Sequence, residues 1–274
     1  MSQEPGLEML TLRLQQCESS LPTLPSIAIR VIELASDPDA HVAQLARVIT
    51  KDQVLATRVL ALANSGYGAP NQQVISLTQA MIRLGTERVR NLVLAVSFYS
   101  RMCDQRVYGP YGRTLMDHSL GTAYLARLVA ETACVDVDEA FLCGLVHDIG
   151  KLVIYKAAHE CQCPLDGPEM TAFVAERHPV VGANALRGWG LTESLEQPVL
   201  HHHDYQAART GRRQTAVIYL ANCLSHRYGF GCDKREYDPL SDPVCAELNL
   251  GEQWLVDTDG HAPGLYEIAK QTFA

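Results

Sequence analysis

Apolar residues recur along most of the chain with a spacing close to 3.6 residues, and no segment sustains the two-residue alternation that is typical of a β-strand. A repeat near 3.6 places apolar side chains on one face of an α-helix. The clearest stripes are Val42, Leu45, Ala46 and Ile49; Leu77, Ala80, Met81 and Leu84; Val89, Leu92, Val93 and Val96; and Val217, Leu220 and Leu224. The sequence therefore predicts an all-α fold, with Ser76 and Gly85 at the two ends of the second of these helices.

Two helical regions are separated by residues 103–112, where Gly-Pro and Tyr-Gly pairs are typical of a break between elements. We expect an N-terminal helical subdomain over residues 1–102 and a helical core over residues 113–228. Residues 229–274, rich in Asp, Gly and Pro, form a C-terminal extension that either closes over the core or completes its bundle. The predicted architecture is an N-terminal bundle packed on a C-terminal helical domain.

The charge balance narrows the classes of function. The chain has 23 Lys and Arg residues against 31 Asp and Glu residues, a net charge of −8, which disfavours nucleic acid and anionic membrane because both require a basic surface. The longest apolar runs fall far short of the roughly 20 residues of a membrane-spanning helix, and the N-terminus lacks the features of a secretory signal. Nine cysteines without Cys-x-x-Cys spacing are typical of reduced thiols. We expect a cytoplasmic protein without a membrane partner.

Residues 41–65 have the outline of a helix-turn-helix, with a short turn at residues 51–53. A DNA-recognition helix needs polar and basic side chains toward the bases. The second helix here is mainly Val, Leu and Ala, and Arg58 is its one charged residue. Packing within a bundle is therefore the favoured interpretation, and DNA binding is the weaker alternative.

Histidine carries the candidate chemistry of the second half, because most of the ten histidines lie between residues 118 and 226. With the polar residues beside them they form an ordered set: His118; His147, Asp148 and Lys151; His178; His201, His202, His203 and Asp204; and Asn222. Each histidine taken alone is better explained by a capping or buried polar role. The ordered set favours a metal site, because imidazole and carboxylate groups bind first-row divalent ions and a pair of ions needs more than four of them. Such ions activate water for phosphoester hydrolysis, in which Lys151 would hold phosphate charge.

These motifs resemble a known family. The segment HDIGK, with a histidine about thirty residues before it, resembles the HD superfamily of metal-dependent phosphohydrolases, and HPVVG with the later HH-acid element resembles its HD-GYP branch of cyclic-dinucleotide phosphodiesterases. The whole chain is most similar to the HDOD family, an HD-related output domain. That similarity runs from LPTLPSIAIRVIEL at residues 21–34, through SDPDA, LARVITKDQVLATRVLALANSGYG and SLTQAMIRLGTERVRNLVL, to about residue 228.

The HDOD resemblance implies an all-helical fold, with an N-terminal bundle and a degenerate HD-type core, and a role in bacterial signalling that is generally non-catalytic. The HD superfamily resemblance implies metal ligands at His118, His147 and Asp148. The final ligand of that superfamily is an aspartate, whereas Asn222 stands at this position here. An amide is a weaker ligand than a carboxylate because it carries no charge.

The HD-GYP resemblance implies that His178, His202 and His203 extend the site to a second ion. The Gly-Tyr-Pro element of that branch is absent, since Asp204 is followed by Tyr-Gln-Ala. The resemblance thus implies a partly retained site for one or two ions of iron, manganese or zinc.

Two functions remain open on this evidence. The favoured one is a regulatory protein that acts by binding a signalling protein partner or a small regulatory ligand. The alternative is a metal-dependent phosphohydrolase acting on a nucleotide or a cyclic dinucleotide, in which Asp148 and Lys151 would be the catalytic residues.

Overall fold

The computed structural model describes residues 4–16, 25–35, 37, 39–64, 74–86, 89–90, 92–94, 97, 104–189 and 193–273. Within these ranges the regular structure is helical and there is no β-strand, so the predicted all-α fold is confirmed. The first five helices are α1 (Glu4–Gln16), α2 (Ser26–Ala35), α3 (Val42–Ile49), α4 (Gln53–Asn64) and α5 (Leu77–Leu84). The remaining helices are α6 (Gln105–Ala133), α7 (Val137–Val146), α8 (Ile149–Glu160), α9 (Pro168–Gly188), α10 (Glu193–His201), α11 (Arg212–Tyr228), α12 (Pro243–Leu248) and α13 (Glu252–Phe273).

The chain divides into two compact units, one of Leu24–Arg101 with Lys270–Ala274 and the other of Met1–Thr23 with Met102–Ala269. In the smaller unit, α3 packs against α2 and α5, and α4 against α5. The predicted apolar stripes are buried in this unit, namely at Leu45, Ala46 and Ile49; Ala80, Met81 and Leu84; and Val89, Leu92 and Val93. Val96, Ser65 and the segment 66–68 lie outside the described residues.

The ends of α5 follow the sequence prediction. The Ser76 side chain accepts a hydrogen bond from the backbone N–H of Gln79, which satisfies one of the free donors of the first turn. Gly85 follows the helix with φ +82°, a conformation that favours glycine.

The helix-turn-helix outline corresponds to α3 and α4. Leu55, Val59 and Ala63 of α4 are buried, so this helix uses its apolar face for packing. The Arg58 side chain lies outside the described part of the chain.

In the larger unit, the long helix α6 packs against α7 and α11, and α9 packs against α8 and α10. Helix α1 also belongs to this unit: Leu10 is fully buried among Ile154 and Ala158 of α8 and Met170 of α9. An ion pair between Arg13 and Glu160 joins the same two helices, α1 and α8. The sequence predicts that residues 1–102 form one subdomain, whereas α1 belongs to the larger unit.

The predicted joint over residues 103–112 proves to be a single kink. Asp104 caps the start of α6 by accepting a hydrogen bond from the backbone of Arg106, and the helix then continues to Ala133. Only Gly109 departs from helical geometry, with φ +53° and ψ −142°. Pro110 follows it and suits the first position of the resumed helix. The second helical region thus begins at Gln105, eight residues before the predicted start at residue 113.

The C-terminal extension completes the larger unit. The ring of Phe230 stacks on Tyr266 of α13 with centroids 4.1 Å apart. On the same helix, Asp259 accepts hydrogen bonds from the Tyr228 hydroxyl at 2.6 Å and the Arg227 guanidinium at 3.0 Å. Among the described helices, none combines the length and the apolar character needed to cross a membrane.

Candidate metal centre

The predicted site residues come from four helices and two turns of the larger unit. His118 lies in the middle of α6, His178 in the middle of α9 and Asn222 within α11. Because α7 ends at Val146 and α8 begins at Ile149, His147 and Asp148 occupy the two-residue turn between these helices. His202 and His203 follow the end of α10, and Lys151 lies in the first turn of α8.

A glycine allows α8 and α9 to approach closely enough to form the site. A Cβ atom on Gly150 would lie 1.9 Å from the backbone oxygen of His178 and 2.7 Å from the backbone nitrogen of Gly182. Only a residue without a side chain fits there. The HDIG segment therefore brings Asp148 and His178 together.

Three histidine rings are oriented by their own helices. Each Nδ1 lies within hydrogen-bond distance of a backbone carbonyl three or four residues earlier: His147 with Gly144 (2.7 Å), His178 with Val174 (2.8 Å) and His202 with Val199 (2.7 Å). A carbonyl oxygen can only accept, so Nδ1 carries the proton in each ring. The lone pair is then on Nε2, and this arrangement is typical of histidines that bind metal.

The Asp148 carboxylate lies at the centre of these rings. Its Oδ2 atom is 3.7 Å from Nε2 of His118 and 3.4 Å from Nε2 of His147. Its Oδ1 atom is 3.2 Å from Nε2 of His178 and 3.6 Å from Nε2 of His202. The two carboxylate oxygens thus face two different pairs of histidines, and one carboxylate could bridge two ions.

The Nε2 atoms on the Oδ1 side are close together. Nε2 of His178 lies 3.1 Å from Nε2 of His202 and 3.2 Å from Nε2 of His203. When both rings are neutral and carry their protons on Nδ1, the Nε2 lone pairs of His178 and His202 face each other, which is repulsive unless a proton or a metal ion lies between them. A separation of about 3 Å is what two nitrogen ligands of one ion have when each bond is about 2 Å.

The donor atoms form two sets that could each hold an ion. One consists of His118, His147 and Asp148, and the other of His178, His202 and His203, with the ligand atoms of each set within 4.8 Å of one another. Nε2 of His147 is buried and has no hydrogen-bond partner. A buried polar atom without a partner is costly, and a metal ion would satisfy it. The residues present therefore fit divalent ions.

Asn222 contacts the first of these sets. Its Oδ1 atom lies 3.0 Å from Nε2 of His118. On the other edge of the ring, Nδ1 lies 3.3 Å from the backbone oxygen of Phe230 and 3.2 Å from the hydroxyl of Ser225. Both tautomers of His118 therefore have partners, and Nε2 becomes available as a ligand when Nδ1 holds the proton.

Burial sets the charge of the centre. It lowers the pKa of His118 to about 3 and that of His203 to about 4, and holds the pKa of His202 well below its ordinary value. Burial alone would raise the pKa of Asp148, but nearby Lys151 and His147 outweigh it and hold that pKa well below its usual range. The His118, His202 and His203 rings are thus neutral beside the carboxylate, which is the protonation state that metal binding requires of a histidine.

Two predicted residues form the accessible edge of the centre. Lys151 donates from Nζ to Oδ2 of Asp148 at 2.6 Å, and a quarter of its side chain is exposed. His203 is exposed as a residue but its ring lies against those of His178 and His202, whereas His118, His147, Asp148, His178, His202 and Asn222 are all buried. A solute from the solvent would meet Lys151 and His203 first.

Two further candidate ligands were not predicted from the sequence. His226 and Cys232 have ligand atoms within 4.8 Å of one of those of His118. His226 follows Asn222 by four residues on α11, so helical spacing could have indicated that it shares the same face. Cys232 lies in the extension after Gly231, where no motif precedes it.

The comparisons with known proteins agree with this fold. The HDOD domain profile matches residues 21–205. A ribonuclease Y of Clostridium novyi is 38% identical over 115 residues, which are 40% of this chain and 22% of that protein. The chain spans between 16% and 38% of the length of the curated relatives that it matches.

Several solved structures are similar over nearly the whole chain. An HDOD domain protein of unknown function from Geobacter sulfurreducens has a TM-score of 0.74 at 24% identity, over 97% of this chain and 99% of that one. A Shewanella amazonensis protein, provisionally named a metal-dependent phosphohydrolase, has a TM-score of 0.71 at 19% identity over 100% of both chains. At these identities the likeness shows the fold. Because the domain profile covers more than half of the sequence, the chain belongs to the HDOD family.

Proposed function

We propose that this HDOD protein binds one or two first-row divalent ions, of iron, manganese or zinc, at the centre around Asp148. The observation that carries the proposal is the pair of Nε2 atoms of His178 and His202. They lie 3.1 Å apart, and both rings carry their protons on the opposite nitrogen. With both rings neutral, two lone pairs face each other in a buried site, and a metal ion between them would relieve that contact.

Each set of ligands has its own place in this proposal. His118 and His147 hold one ion together with Asp148, and His178, His202 and His203 hold the other. The two oxygens of Asp148 face the two sets, so this carboxylate belongs to both. Asn222 lies beside His118 and offers a neutral oxygen in place of a charged one.

The role that we propose is regulatory: the protein acts in signalling by binding a protein partner or a small regulatory ligand. In this proposal the metal centre stabilises the form of the larger unit that binds this partner or ligand. Two features support this role over catalysis. The first is the neutral amide of Asn222, which lowers the negative charge of the site. The second is the ion pair between Lys151 and Asp148, which engages the one lysine at the accessible edge with the site's own carboxylate.

Elemental analysis of the purified protein tests the metal centre. The informative pair of variants is His202→Ala and His201→Ala. Nε2 of His202 lies at the centre, 3.6 Å from Asp148. The neighbouring His201 is outside both sets of ligands and serves as the control. We expect at least one ion per chain in the wild type and in His201→Ala, and a clear loss in His202→Ala. Trace metal that is equal in all three proteins would contradict the proposal.

Hydrolysis of a phosphoester is the second candidate function. The exposed edge at Lys151 and His203 favours it, because an anionic substrate would meet a lysine ammonium there. Ions at the centre would supply Lewis-acid activation of water. The ribonuclease Y name of several relatives adds RNA to the nucleotides and cyclic dinucleotides that are worth testing.

A turnover assay separates the two functions. Protein loaded with manganese or iron would be incubated with RNA, a cyclic dinucleotide and a simple phosphodiester. Hydrolysis that His147→Ala abolishes, in a variant that still folds, would favour the enzyme. Fully loaded protein that leaves every substrate intact would favour the regulatory role.

A further inference from the structure

We propose that His118, His226 and Cys232 form a separate thiolate-containing zinc site, which competes with the Asp148 centre for His118. One ligand atom from each of the three residues lies within 4.8 Å of the others. The ring centroids of His118 and His226 are 4.9 Å apart. Two imidazoles and a cysteine sulfur with an open fourth position make a donor set that zinc accepts readily.

The three residues are brought together by the end of α11 and the start of the extension. Gly231 has φ +61°, and a Cβ atom there would lie 2.1 Å from the backbone nitrogen of His118. The chain can therefore pass this close to α6 only with a glycine at position 231, and the next residue is Cys232. The thiol lies 3.7 Å from the backbone oxygen of Ser225, whose hydroxyl is 3.2 Å from Nδ1 of His118.

The polar atoms of this cluster have few strong partners of their own. Nδ1 of His226 is buried and has no hydrogen-bond partner. The contact from Cys232 to Ser225 is long and involves a weak thiol donor. A zinc ion would satisfy both groups, and its binding would release the thiol proton to solvent as the sulfur–zinc bond forms.

The charges around the thiol are balanced. Lys151 and Arg235 act on Cys232 as cations, and Asp148 and Asp233 act on it as anions. Burial raises the pKa of the thiol to about 11, so the thiol is protonated at neutral pH without a metal. A divalent ion held by one thiolate leaves a net charge of +1, which these balanced surroundings neither strongly oppose nor strongly attract.

Sharing of His118 couples the two sites. Nε2 of His118 faces Asn222 and Asp148, and Nδ1 faces Ser225 and Phe230. A neutral imidazole has one lone pair, so it serves one ion at a time. Zinc bound with Cys232 therefore weakens binding of an ion with Asp148, and the converse also holds because coupling between two sites is reciprocal.

Cobalt(II) titration with absorption spectroscopy tests this site. A cobalt–thiolate bond gives near-ultraviolet charge-transfer absorption, which imidazole and carboxylate ligands do not give. We expect this band in the wild type and its loss in Cys232→Ser. The matched control is Cys223→Ser, which removes another half-buried thiol of the same region and should keep the band. His226→Gln should weaken the cobalt affinity of this site by about tenfold or more.

His178→Ala separates this site from the proposed centre, because His178 belongs only to the other set of ligands. The band should persist in this variant even if its total metal content falls. Alkylation of wild-type thiols, read by mass spectrometry, gives a test without any substitution: zinc should protect Cys232 and leave the exposed Cys134 reactive. A missing band in the wild type, a band that survives Cys232→Ser, or equal alkylation of Cys232 with and without zinc would each overturn the proposal.

Discussion

Nε2 of His118 lies 3.0 Å from the side-chain oxygen of Asn222, at the position where the HD superfamily resemblance implies a carboxylate. The contact keeps the geometry of a ligand pair but removes one negative charge. Among the buried residues of the centre, Asp148 then supplies the only carboxylate. The affinity of the centre for a divalent ion should therefore be limited by charge more than by shape.

Asn222→Asp should raise the affinity for manganese or zinc by about tenfold or more, because a charged oxygen replaces a neutral one beside His118. Without metal the variant should be less stable than the wild type, since a second buried carboxylate near Asp148 has no cation. Competition with a chelating dye measures the affinity, and thermal unfolding with and without chelator measures the stability. Asn184→Asp, on the exposed face of α9, is the control for the charge change. Equal affinities in all three proteins would place Asn222 outside the ligand set.

Several features of the fold and one part of the site could be predicted from the sequence because they are local. The apolar stripe of a helix and the cap at Ser76 depend on neighbouring residues, and the HDIG segment fixes Asp148 beside its own helix. The convergence of His118, His178 and His202 was indicated only by their order within a recognisable family. Spacing alone does not say that three distant helices meet.

The parts that could not be predicted depend on contacts between distant segments. A Gly-Pro pair at residues 109–110 indicates a break, and Gly109 does leave helical geometry, but the sequence does not say that helical structure resumes directly after it. No pattern in the sequence says that Leu10 of α1 packs on α8. Cys232 reaches His118 because Gly231 permits a close approach, and no motif encodes that approach.

Lys151→Met should tighten metal binding several-fold, because the Lys151 ammonium competes with an ion for Oδ2 of Asp148, 2.6 Å away. The metal-free variant should lose about 3 kcal/mol of unfolding free energy, since it leaves the buried carboxylate without its cation. Isothermal titration with zinc and urea denaturation with a chelator give the two quantities. Lys156→Met, on the same helix and paired with Glu160 at 3.5 Å, should change neither by much. Weaker zinc binding in Lys151→Met would show that the lysine orients Asp148 instead of competing for it.

Gly150→Ala should destabilise the protein by about 2–3 kcal/mol, because the added methyl group would overlap the His178 backbone and force α8 and α9 apart. The same shift moves His178 away from Asp148, so metal content should fall as well. Gly260→Ala is the matched control within α13, where a Cβ atom meets nothing within 4 Å. That change should stabilise the helix by about 0.5–1 kcal/mol. Chemical denaturation of both variants tests the pair, and similar effects of the two would contradict the close helix contact.

His178→Ala and Asp148→Ala should differ in how many ions they lose. His178 contributes to one set of ligands only, whereas the two oxygens of Asp148 face both sets. If two ions bind, His178→Ala should retain about one ion per chain, and Asp148→Ala should lose both from this centre.

Metal analysis after dialysis against equal free zinc measures this difference, with His201→Ala as the control that keeps the wild-type content. Cys232→Ser is added to each variant so that zinc at the proposed thiolate site does not enter the count. Equal losses in His178→Ala and Asp148→Ala would mean that the ions bind as a single unit, or that the centre holds only one. Full retention of metal in Asp148→Ala would show that the Asp148 carboxylate is not a ligand. Metal binding would then not explain why four histidine rings surround this buried side chain.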